Sequence, residues 1–116
     1  MNMATQDNHA INQTTVFIVD DNPANTLMLK QVVDAEEFKM VKAYNDPEEA
    51  LEAFYEIKPQ LVLLDLLMPK ISGIEFLEKI ASEIASADVA VIVLTASHDK
   101  KQRLQALELG AQDYIE

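Results

Sequence analysis

The chain has 116 residues, 49% hydrophobic and 25% charged, which is the composition of one globular domain and not of a disordered segment. Nine Lys and Arg stand against 20 Asp and Glu, a formal net charge of −11. That balance argues against nucleic acid and anionic lipid as partners, since both require a basic surface, while the absence of cysteine excludes disulfides, thiolate zinc sites and cysteine nucleophiles.

The opening MNMATQDNHAINQTT carries neither a cationic nor an apolar stretch, so no secretory signal is expected there. No apolar run approaches the roughly 18 residues of a membrane span, and the expected location is the cytoplasm. Residues 1–14 are expected to form a flexible polar tail, and residues 15–116 the domain. Thr15 to Val19 is β-branched and apolar, a strand that stops at Asp20-Asp21-Asn22-Pro23. Asn22 before Pro23 predicts a helix start, with Asn as N-cap and Pro at the first helical position. That helix should reach about Ala35, with Leu27, Met28 and Val32 forming its buried stripe. Phe38 to Ala43 alternates like an edge strand. Asp46-Pro47-Glu48-Glu49 then opens a helix carrying Leu51, Phe54 and Tyr55, which Lys58-Pro59-Gln60 breaks.

Leu61 to Leu64 is continuously apolar, the pattern of a strand covered on both faces. After a loop through Gly73, the spacing of Ile74, Leu77, Ile80 and Ile84 predicts one further helix. Val89 to Leu94 reads as another fully buried strand. Ser97 can cap a helix whose buried stripe includes Leu104, Leu107 and Ala111, closed by Gly110. Asp113 to Glu116 begins a fifth strand. The β-α alternation with short connections demands a parallel sheet with right-handed crossovers and helices on both faces. Sites in such sheets lie beyond the carboxyl ends of the strands, which narrows the search to Asp20, Asp21, Asp65 to Met68 and Thr95 to Ser97.

Asp65 interrupts LVLLDLLMP, where every neighbour is apolar or proline. A carboxylate is costly to bury unless paired or bound to metal, although an isolated strand-end Asp is equally often a cap for backbone amides. The pair Asp20-Asp21 tips the balance. Helix entry accounts for one acid there, and Asn22 is already the better cap. Two carboxylates about 4 Å apart repel by about 4 kcal/mol at an effective dielectric near 20. No Arg or Lys lies within three residues of Asp20 or Asp21, so a small divalent cation is the economical partner. Mg²⁺, with its oxygen ligands at about 2.0–2.1 Å and its retained waters, suits an open carboxylate pocket.

VDDNP at 19–23, LVLLDLLMPKISG at 61–73, VIVLTAS at 91–97 and GAQDYIE at 110–116 together resemble the receiver domain of bacterial response regulators, the CheY-like fold. The likeness spans roughly residues 15–116; each motif alone is weak, and the four in register are highly specific. It implies an α/β, flavodoxin-like, doubly wound parallel sheet of five strands in the order 2-1-3-4-5, for which CheY is a standard example, with four of the usual five helices present. It implies that Asp65 is the phospho-acceptor, that Asp21 ligates Mg²⁺ directly and that Asp20 assists through coordinated water. Mn²⁺ would substitute. The backbone carbonyl of Leu67 resembles the third protein ligand, Thr95 the hydroxyl that binds the phosphoryl group, and Tyr114 the switch aromatic.

The implied function is a phosphorylation-dependent receiver in a two-component system. It would be charged by a sensor histidine kinase or a histidine phosphotransfer protein and would switch an output domain or separate effector. It would catalyse only its own phosphoryl transfer and dephosphorylation. The family pattern continues with a lysine three residues beyond Tyr114 and a fifth helix, both past Glu116, so the sequence is expected to be an excerpt. On its own it is expected to associate, as a homodimer for example, through the apolar face left open. Three other functions compete. A degenerate receiver-like binding module that takes no phosphate is opposed by the intact acids and Thr95 and favoured by the lack of the family lysine in this sequence. An Mg²⁺-dependent phosphatase would need a second acid two residues after Asp65, where Leu67 stands, and a flavodoxin would need a glycine- or hydroxyl-rich loop after the first strand.

Overall fold

The computed structural model describes residues 13–68, 71–86, 88–94 and 100–115. Strands β1 (Thr15–Val19), β2 (Met40–Tyr44), β3 (Leu61–Leu64), β4 (Ala90–Leu94) and β5 (Asp113–Ile115) alternate with helices α1 (Pro23–Asp34), α2 (Pro47–Ile57), α3 (Gly73–Lys79), α4 (Ala81–Ala85) and α5 (Lys100–Glu108). The strands form one sheet, ordered β2-β1-β3-β4-β5, in which every neighbouring pair is parallel. The helix starts follow their caps. Asn22 accepts a hydrogen bond from the Ala24 N–H, Asp46 from Glu48 and Ser72 from Glu75, each through its side-chain oxygen. Helix α2 ends where Lys58 turns left-handed (φ 57°), and Gly110 takes φ 109° just past α5.

Register divides the strand side chains into two sets. Phe17, Val62 and Val91 lie side by side, as do Val19, Leu64 and Val93, and all six are fully buried beneath α2, α3 and α5. The other face carries Leu61, Leu63, Ile92 and Leu94, which are only partly covered; Val16 and Ile18 on β1 are sealed. The apolar runs of β3 and β4 thus predicted burial on both faces, whereas the described residues close one face and shade the other.

Helix α1 departs from its predicted stripe. Thr26 is its buried residue, while Leu27, Met28 and Val32 are more than half exposed. An apolar residue at helical spacing is buried only if a neighbour occupies that side, and among the described residues none covers this flank. In α5 the same correction applies: Leu104 (60% exposed) and Leu107 lie outward and Ala106 enters the core, with Ala111 following beyond the helix. Tyr55 also lies outward on α2, its hydroxyl donating to the Lys79 carbonyl at 2.8 Å, while Leu51 and Phe54 are buried. The single helix predicted after Gly73 is two, which makes five described helices against the four expected. Ile80 leaves the helical conformation (φ −105°, ψ 14°) with its side chain fully buried, and the helix is interrupted there.

Candidate functional site

Parallel pairing places the acids. Val19 and Leu64 are register partners, so the residues that follow them, Asp20 and Asp65, emerge together at the carboxyl edge of the two central strands. The Asp65 N–H donates to the Val19 carbonyl (2.9 Å), and the Asp20 N–H to the Tyr44 carbonyl (3.1 Å), continuing the sheet by one residue on each side. Carboxylate oxygens of Asp20, Asp21 and Asp65 all lie within 4.8 Å of one another. The three acids nominated from the sequence therefore converge.

Asp20 is buried and its carboxylate is held at both oxygens. Oδ1 accepts from the Asn22 N–H at 2.9 Å and Oδ2 from the Asn25 side-chain amide at 3.2 Å. Asn45, just after β2, donates to the Asp20 carbonyl (2.8 Å) and to the Thr26 hydroxyl (3.0 Å), which itself donates to the Pro23 carbonyl. These bonds lock the ends of β1 and β2 to the first turn of α1. Asp65 Oδ1 accepts from the Leu67 N–H at 3.1 Å, a local turn that curls the chain back over the carboxylate. Gly73 supports that turn from below, its N–H donating to the Leu66 carbonyl. A Cβ on Gly73 would sit 2.5 Å from the Asp65 carbonyl oxygen and from the Leu66 Cα, so only glycine permits this approach.

Three crowded carboxylates repel one another, and a hard divalent cation relieves that repulsion while using oxygen ligands alone. Asp20, Asp21 and Asp65 offer one oxygen each to such an ion, so the donor set fits Mg²⁺. The other nominated residues stand differently. Leu67 adjoins the cluster with its side chain half exposed. Tyr114 lies in β5 with its backbone opposite Val93. Thr95, with Ala96 and Ser97, lies outside the described residues. Asn25, Asn45 and Gly73 were not singled out from the sequence. An Asn in a helix's first turn is common, and only the glycine at a helix start, one of two in the chain, was a usable signal.

Residues 16–116 match the family described as the response regulator receiver domain, and the chain belongs to that family. It is a receiver domain of two-component signalling, a type of module that is typically non-enzymatic. The chain is 33% identical over 101 residues to the phosphate regulon transcriptional regulatory protein PhoB of Pseudomonas aeruginosa, covering 87% of this chain and 44% of that protein. It is likewise 33% identical over 101 residues to protein-glutamate methylesterase/protein-glutamine glutaminase 2 of Vibrio vulnificus, covering 86% and 29%. The chain thus spans less than half the length of either curated relative. Among solved structures, the response regulator domain of Thermotoga maritima CheB superposes with TM-score 0.75 at 30% identity, covering 89% of this chain and 77% of that one. A CheX-CheY-BeF3-Mg²⁺ complex from Borrelia burgdorferi superposes with TM-score 0.78 at 29% identity, covering 88% and 76%. These likenesses define the α/β flavodoxin-like receiver fold, and the acidic triad is of the kind that holds Mg²⁺ in receivers. Among the described residues no helix is long and apolar enough to cross a membrane.

Proposed function

We propose that the Asp65 carboxylate accepts a phosphoryl group from a phosphohistidine on a sensor kinase or histidine phosphotransfer protein. The observation that carries this reading is the convergence of Asp20, Asp21 and Asp65 within 4.8 Å at the sheet edge. An Asp65 oxygen attacks phosphorus, the P–N bond to the donor imidazole breaks, and the imidazole nitrogen keeps the electron pair and takes a proton. An acyl phosphate results. Little covalent work falls to the protein, and orientation supplies much of the rate. The Leu67 N–H donates to Asp65 Oδ1 and helps to orient the carboxylate for attack. Asp21 and the Leu67 carbonyl would hold the ion directly, with Asp20 contributing through coordinated water. Mg²⁺, or Mn²⁺ in its place, supplies charge neutralisation when bound there.

The new phosphoryl group adds about −1.5 to −2 charge and three acceptor oxygens. Thr95 turns toward it, Tyr114 moves into the space released, and the surface around α5 and β5 changes shape for an output domain or effector. The change is a population shift limited by the differential energy of these contacts.

Incubation of the protein with Mg²⁺ and acetyl phosphate, followed by intact mass measurement, should reveal one phosphoryl adduct. Asp65→Asn should abolish it, and an adduct that persists unchanged would falsify the acceptor assignment. The exposed, apolar Leu67 side chain offers hydrolytic water no hydrogen bond. Leu67→Asn should therefore speed loss of the phosphoryl group by about fivefold or more, a gain of roughly 1 kcal/mol at the transition state. Equal decay would remove Leu67 from that role.

A further inference from the structure

We propose that Asn25 is a positioning residue for the metal site, acting through Asp20; the inference rests on the metal reading given above. The Asp20 carboxylate plane turns about a broad, soft torsion, so one hydrogen bond does not fix it. Two do. The Asn22 N–H holds Oδ1, and this contact belongs to the backbone of the strand-to-helix turn. The Asn25 amide holds Oδ2 and is the only one of the two that a side-chain substitution removes. Each oxygen spends one lone pair on these donors and retains acceptor capacity for the proton of a metal-coordinated water.

The rest of the network explains why the burden falls on Asn25. Asn45 grips the Asp20 main chain and the Thr26 hydroxyl, so the strand end is fixed whatever residue stands at 25. Asn25 itself is exposed on α1 and contributes nothing to the core. For the helix alone, alanine would be the better residue. Its value to the molecule therefore lies in what its amide holds.

The test is a calorimetric Mg²⁺ titration of the wild type, Asn25→Ala, Asp20→Asn and the double variant, each with its thermal melt. Asn25→Ala should weaken Mg²⁺ binding about five- to tenfold, the size of a typical net hydrogen bond, without lowering the melting temperature. In the Asp20→Asn background the same substitution should change the affinity by less than about twofold. Unchanged affinity in Asn25→Ala overturns the proposal, and so does an equal loss in both backgrounds, which would mark a general structural effect. Failure of the wild type to bind Mg²⁺ at all would instead overturn the metal reading itself, a separate result.

Discussion

The two faces of the sheet are made from the same strands and nearly the same residue types, yet they are finished differently. On one, Phe17, Val19, Val62, Leu64, Val91 and Val93 are wholly removed from water, with Phe76, Leu77 and Ile80 packed above them. On the other, Leu61, Leu63, Ile92 and Leu94 keep part of their surface in water, and α1 turns Leu27, Met28 and Val32 outward. Burial, and with it stabilisation, thus depends on what lies opposite a side chain more than on its own hydrophobicity. The closed face also anchors the site, because Val19 and Leu64 set the positions of Asp20 and Asp65 at its rim.

The sharpest way to break this contrast is to truncate adjacent leucines on opposite faces. Leu64→Ala should cost about 2–5 kcal/mol in denaturant unfolding, and Leu63→Ala about 1–2 kcal/mol because part of that side chain is already hydrated. Equal losses would show the two faces to be closed alike. A subtler test uses Tyr44, whose ring lies 4.9 Å from Phe17 at the margin of the closed face. Burial first, then the charges of Glu49 and Glu56, push its hydroxyl above the ordinary value of 10.0. The folded state then holds that proton more tightly than the unfolded chain does. This contribution is fully present below pH 10.0 and is lost as pH rises through the higher folded value. Tyr44→Phe should accordingly flatten the alkaline end of a stability–pH profile; an unchanged profile would mean the hydroxyl is as hydrated as in the unfolded chain. Smallest of all, Val32→Gln should shift stability by no more than about 0.5 kcal/mol, since the side chain is 64% exposed, and a larger loss would reveal a hidden contact on α1.

Much of the fold was legible in the residues. Asn22-Pro23 and Asp46-Pro47 start helices because caps and proline act within one turn, and these signals survive any tertiary arrangement. The runs TVFIV, LVLL and AVIVL form strands, and the acids that end two of them stand out as charge against an apolar background. Side-chain burial along the helices was less legible. The apolar spacing of α1 and α5 suited several rotations about the helix axis, and packing chose Thr26 and Ala106 over the larger residues. The break at Ile80 was hidden for the same reason: a buried isoleucine at the expected interval serves equally well in a continuous helix and at an interruption between two.

The sequence by itself determined where elements begin, which acids end strands and which family the chain resembles, because caps, alternation and charge are local properties. Tertiary structure alone decided that Asp20 and Asp65, 45 positions apart, share one edge, since strand register is a pairing between segments. It alone decided that Gly73 must lack a side chain and that Asn25 and Asn45 hold Asp20 from two sides. Contacts of that kind arise from distances across the fold, which no single stretch of residues encodes.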